Sequence, residues 1–233
     1  GEATLVGVYQ NDNGYRFTHW CTDNVRLAKN VYDNEPIIED LYSWSRNFRN
    51  QTHQDSPSAY RVASYGSIAQ VNLALEALEK LTITPEIQAR VDTIKGEALV
   101  MRSYCHFMLV NLFAKHYDNS TASSDLGVPY VTNVENDLIV DYERGNVKDV
   151  YDKGEKDLLD GIALLEKDSK EVNKNKYRFT YPSVYLYASR FYNYRNLDEV
   201  DVNETLRYAK KAIEAFGGVN VMRSWSEYGA DEY

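Results

Sequence analysis

Cysteine is scarce: Cys21 and Cys105 are the only two in 233 residues, too few and too far apart for a disulfide framework or a zinc site. Long apolar runs are missing too. None approaches the roughly 20 residues that a membrane-spanning helix needs, and the first residues lack a basic stretch followed by an apolar core. Positive charge is in deficit, with 26 Lys and Arg against 35 Asp and Glu, and the net charge of -9 repels phosphate backbones and anionic headgroups. Nucleic acid is therefore not an expected partner. The four histidines, His19, His53, His106 and His116, do not have zinc-ligand spacing, and there is neither a glycine-rich phosphate loop nor a Gly-x-Ser-x-Gly elbow. No metal or other cofactor is implied. Glu35, Glu39 and Asp40 bring acids near Trp44, and glycoside hydrolysis uses paired carboxylates, but no motif fixes their spacing. The residues do not argue for an enzyme.

What remains is ordinary globular material, 43% apolar and 26% charged. Five segments carry a helical period. The first runs from about Pro57 to Leu81, with Ile68, Val71, Leu75 and Leu78 on one face and Asp55 or Ser56 placed to cap it. Thr84-Pro85-Glu86 starts the second, whose stripe of Ile94, Ala98, Met101, Cys105, Met108 and Leu112 alternates steps of four and three. Cys105 on that stripe is expected to be a buried free thiol. The link between these helices is so short that they are expected to return antiparallel as a hairpin.

After the polar loop Asp118 to Asp141 the pattern repeats. Val147, Val150, Gly154, Leu158 and Leu165 mark one helix, and Val184, Ala188, Phe191 and Arg195 another, with Thr180 beside Pro182 as its start signal. A fifth helix, with Leu206, Ala209, Ile213 and Phe216 in register, stops at Gly217-Gly218 and has no expected partner downstream. Small residues at crossing points, such as Ala98, Ala188, Ala209 and Ala212, predict an all-α fold, a divergent tetratricopeptide-like array of antiparallel helix pairs. The expected organisation is a loop-rich segment over 1–56, with a short helical start around Ala3 to Tyr9, then helix pairs over 57–117 and 142–197 and a last helix over 203–217. Most of the 20 tyrosines are expected to pack between helices.

Several runs, in order, resemble the SusD/RagB family of nutrient-binding outer-membrane lipoproteins. They are Leu5-Val6-Gly7-Val8-Tyr9 with Thr22-Asp23; Tyr65 through Asn72; Gly96-Glu97-Ala98, Met101-Arg102-Ser103-Tyr104 and Leu112-Phe113, with Gly127-Val128-Pro129 closing the loop; Val147 through Tyr151; Tyr177 through Thr180; and Ala188 through Tyr192. Two departures stand out: members are usually about twice this length, and the family's N-terminal lipid-modified cysteine has no counterpart in Cys21 or Cys105. The resemblance implies the N-terminal portion of a surface-exposed lipoprotein, anchored through an upstream segment, that captures an oligosaccharide or peptide and delivers it to a TonB-dependent outer-membrane transporter. The competing class is a helical-repeat adaptor that binds a protein partner through its concave face.

Within that frame the segment Leu41 to Gln51 is the best candidate for recognition. Flat aromatic rings stack on the apolar faces of sugars while amides and guanidinium groups bond hydroxyls, so Tyr42 and Trp44 beside Arg46, Asn47 and Asn50 have suitable chemistry, with Trp20 as a second candidate near Tyr15 and His19. Tyr42, Trp44 and Phe48 equally suit a second use, the commoner one at this spacing, as anchors that fix the loop onto the helices. Glu97 and Arg102 are expected in interior salt bridges, and Asn72 on a backbone group.

Overall fold

A computed structural model describes residues 16–26, 36–135, 141–167 and 178–221 of the chain. The helical start expected at Ala3 to Tyr9, Glu35 and most of the link Lys167 to Lys176 lie outside the described residues. Among the described residues seven α-helices follow one another: α1 (Arg16–Trp20), α2 (Pro36–Tyr42), α3 (Pro57–Glu79), α4 (Pro85–Phe113), α5 (Val147–Leu165), α6 (Tyr181–Arg195) and α7 (Glu199–Phe216), with a 3₁₀ turn at Val219–Val221 after the last. Among the described residues the only β pairing is an isolated bridge between Leu126 and Asn146. The fold is all-α, as the periodicity predicts.

The chain divides into two compact units, one made of Gly1–Thr82 with Pro129–Glu143 and the other of Ile83–Val128 with Arg144–Tyr233. In the first, α1 lies against α2, and the ring of Phe17 meets Tyr60 of α3 edge-on at 5.8 Å. Ser56 caps α3 by accepting a bond from the Ala59 amide, and Pro57 occupies the first turn, where its missing N–H costs nothing. Of the predicted face Ile68, Val71 and Leu78 are buried, and Leu75 is half-buried. The extended stretch after Pro129 is held to α3 by side chains: the Tyr65 hydroxyl donates to the Pro129 carbonyl, and the Asn72 amide donates to the carbonyls of Val131 and Asn133. Asn72 thus satisfies irregular backbone, which explains a buried amide on an apolar face.

In the second unit α4 packs along α5, and α6 along α7. The stripe predicted for α4 is buried from Ile94 to Met108, with Leu112 only half-buried, but so is nearly everything between Gly96 and Val110, including Arg102, Ser103 and His106. The amphipathic expectation is too modest because polar residues on the other faces are paired inside. Arg102 forms a two-pronged ion pair with Asp157 of α5 at 2.7 and 2.8 Å, Arg178 forks onto Glu97, and the Ser103 hydroxyl meets the Gly154 carbonyl and the Tyr187 hydroxyl, each at 2.7 Å. Arg195 of α6 bridges Glu155 and Asp201. Tyrosines fill the space between these helices, with Tyr151, Phe107, Tyr187 and Phe191 in mutual edge-on or tilted contact.

Two helix details depart from the sequence reading. Thr84 occupies the capping position of α4, but its hydroxyl does not bond the first-turn amides. On α7 the buried positions are Asp201, Tyr208 and Ala212, whereas Leu206, Ile213 and Phe216 of the predicted stripe are exposed. The ring of Tyr208 stacks on Tyr192 and Tyr185, so an aromatic on the adjacent face outcompetes the aliphatic stripe for α6.

Candidate functional site

The candidate site is built on the end of α2. Proline at its first position, with Ile37 and Leu41 fully or almost fully buried, fixes this seven-residue helix on the core of its unit. The helix closes with two bonds: the Ser45 amide donates to the Asp40 carbonyl at 2.8 Å and the Trp44 amide to the Leu41 carbonyl at 3.1 Å. This is a Schellman closure, and it demands a left-handed residue just past the helix, normally glycine. Trp44 takes that position, with φ +53°. Elsewhere the chain uses residues that tolerate the conformation: Asn196 after α6 and Gly217 after α7, where Gly217 and Gly218 make the same pair of bonds.

Trp44 is 74% exposed, and Tyr42, two residues before it, is 36% exposed. The anchoring role weighed for Trp44 is not the one it plays, because a ring that packed the loop onto the helices would be covered. Beyond it, Arg46 and Asn47 are exposed, and the Ser45 hydroxyl donates to the Asn47 carbonyl at 3.0 Å. Asn50 is half-buried, and its side-chain carbonyl accepts from the Thr52 hydroxyl at 3.2 Å, so part of its bonding capacity belongs to the turn. The loop then reaches α3, where the Ser56 hydroxyl donates to the Gln51 carbonyl at 2.8 Å.

Arg49, which the sequence reading passed over, ties this loop to α2. Its backbone amide donates to Asp40 Oδ2 at 2.8 Å and its Nε to Oδ1 at 2.9 Å, while Nη2 reaches Glu39 Oε2 at 2.7 Å and the Pro36 carbonyl at 3.2 Å. Asp40 is buried, and the Arg49 side chain, followed by its amide, holds the Asp40 carboxyl below the usual carboxylate range. Asp40 is thus kept ionised and occupied, which suits a structural acceptor and not a proton donor. The sequence carries no signal for this pairing, because it depends on how the turn folds back.

Trp20, the second candidate, is half-buried at the end of α1. Its neighbour Cys21 points its thiol at the Leu41 carbonyl, Sγ to O 3.6 Å, the same oxygen that receives the Trp44 amide. The structure therefore brings the Trp20 and Trp44 segments to one place. Partial burial raises the Cys21 thiol pKa, so it is not a ready thiolate. Among the described residues no His, Cys, Asp and Glu cluster is fit to hold a metal ion.

A SusD-like family model, described as starch-binding and associating with the outer membrane, matches residues 3–193. A SusD superfamily protein from Bacteroides thetaiotaomicron VPI-5482 superposes with a TM-score of 0.74 at 20% identity, covering 97% of this chain and 48% of that one. A SusD-like carbohydrate-binding protein from Bacteroides vulgatus ATCC 8482 gives a TM-score of 0.67 at 17% identity, with 97% and 46% covered. For a laminarin-binding SusD-like protein the values are 0.62 and 19%, with 94% and 42% covered. The chain thus spans less than half the length of these solved structures, and at such identities the likeness establishes the fold. No curated protein matches it in sequence.

Proposed function

This chain belongs to the SusD-like family, and on that premise we propose that it belongs to a lipid-anchored, surface-exposed protein of the outer membrane that captures an oligosaccharide and delivers it to a TonB-dependent transporter. The observation that carries this reading is Trp44, a tryptophan 74% exposed in a backbone conformation that favours glycine. An outward indole there has little to do for the fold, and it offers a flat apolar face on which a sugar ring can stack. Asn47 and Arg46 beside it supply donors and an acceptor for hydroxyls, with Tyr42 and Trp20 as flanking aromatics. Binding precedes transport in this scheme, and no bond is broken.

Calorimetric titration against laminarin, soluble starch and a peptide panel tests the reading. The parent is expected to bind a glycan, and Trp44→Ala to weaken that binding by about 1–3 kcal/mol, the range for losing an aromatic contact, with the melting temperature unchanged. Equal affinities for parent and variant would overturn it. Co-purification of the full-length protein from outer membrane with a TonB-dependent barrel tests the partner, and recovery with a soluble protein instead favours the adaptor class.

A further inference from the structure

We infer that Asp40 and Arg49 are positioning residues for Trp44: together they latch the Ser43–Phe48 loop shut before any ligand arrives and so hold the indole outward. This rests on the reading of Trp44 as the stacking surface. A non-glycine residue at positive φ persists only where its surroundings over-determine it. Here they do so through Asp40, which acts at both ends of the loop. Its carbonyl accepts the Ser45 amide at 2.8 Å, fixing the residue just after Trp44, and its carboxylate accepts both the amide and the Nε of Arg49. Arg49 extends the closure along α2 through Glu39 Oε2 and the Pro36 carbonyl. The Trp44 side chain itself stays 74% exposed. Polar closure of the loop, with the aromatic left uncovered, is what a preformed stacking platform requires.

A merely structural ion pair on the surface would do less. Such pairs contribute little to overall stability and leave the geometry of a residue five places away untouched. The latch instead predicts loss of order confined to the loop. In the full chain, Asp40→Asn removes the charge and one acceptor, and Arg49→Lys keeps the charge but loses the planar fork. Hydrogen exchange at the Trp44, Ser45 and Arg49 amides should quicken about tenfold or more in both variants, as expected when a closed state loses its hold. Amides in α4 should exchange as in the parent. The 5-fluorotryptophan resonance of Trp44, assigned by its loss in Trp44→Phe, should shift or broaden in the same variants.

Affinity supplies the second readout. For whichever of laminarin and soluble starch the parent binds, Asp40→Asn should weaken binding about tenfold, because only a fraction of molecules then present the platform. In a Trp44→Ala background the same change should have no further effect. An equal loss in both backgrounds, or unchanged exchange and an unchanged fluorine spectrum in Asp40→Asn, overturns the latch. If Trp44→Ala itself leaves affinity untouched, the stacking proposal fails, and the exchange data still show whether Asp40 and Arg49 order the loop.

Discussion

Trp44 combines two costs at a single residue, a left-handed backbone and an uncovered indole, and the two can be separated by substitution. Trp44→Gly relieves the backbone, because glycine lacks the Cβ that crowds the carbonyl at positive φ, and it should raise stability by roughly 1 kcal/mol. Trp44→Ala keeps the Cβ and should leave the thermal midpoint near that of the parent. Both variants should lose the glycan contact, so Trp44→Gly would be more stable and less functional at once. A lowered midpoint for Trp44→Gly in a thermal melt would instead mean that the indole supports the loop. Tyr42, Trp44 and Asn47 are legible from composition, since aromatics beside amides in a polar stretch are conspicuous. The backbone of Trp44 is not legible, because residue preferences place glycine there. Nor is the pairing of Asp40 with Arg49, which depends on how the turn folds back.

Between elements, α4 and α5 of the second unit meet closely at Gly96 and Gly161. A Cβ on Gly161 would lie 2.8 Å from the Gly96 carbonyl oxygen and 2.8 Å from Val100 Cγ2, and one on Gly96 would lie 2.9 Å from both the Gly161 oxygen and Leu165 Cγ. In an open helix, Gly→Ala stabilises by about 1 kcal/mol. Here the added methyl meets backbone, so Gly161→Ala should destabilise by roughly 1–3 kcal/mol through overpacking. Gly66 in α3 is the control: nothing lies within 4 Å of its Cβ position, and Gly66→Ala should stabilise. Urea midpoints for the two variants should therefore move in opposite directions. The helices themselves are readable from their period, and Ser56, Thr180 and Gly217 mark ends where predicted. The crossing is not readable, since a glycine inside a helical pattern looks the same whether it faces a neighbour or solvent. For the same reason the stripe on α7 misleads: spacing defines a face, and only packing decides which face is covered.

At the scale of the molecule, a few titratable groups set how stability depends on pH, and a buried histidine of the second unit leads them. His106 is fully buried on α4, with its Nδ1 2.8 Å from the Arg102 carbonyl oxygen and Arg102, Asp157 and Lys153 as its charged surroundings. Burial, the largest influence, pushes its pKa down from 6.5 to about 4; Asp157 and the bond to the Arg102 carbonyl oppose the shift, and the charges of Arg102 and Lys153 reinforce it. In the unfolded chain the imidazole takes a proton near pH 6.5, while in the folded chain it stays neutral until about pH 4. Protonation therefore favours the unfolded chain across that window, and stability should fall by about 3 kcal/mol as pH drops from 6.5 to 4. Carboxylates with depressed values, such as Asp40, Asp118 and Asp125, act lower, withdrawing their contribution only as pH falls below the ordinary carboxylate range. At the alkaline end, burial raises the hydroxyls of Tyr151 and Tyr187, so stability should decline again above about pH 10, where unfolded tyrosine ionises. The expected profile is a plateau between about pH 6.5 and 10 with an acid shoulder that belongs to one residue. His106→Gln, which cannot take the proton, should flatten that shoulder in urea titrations followed by circular dichroism at pH 4.5, 5.5 and 7. It should also lower the plateau through lost packing. A shoulder that survives unchanged in His106→Gln would overturn its assignment to the imidazole.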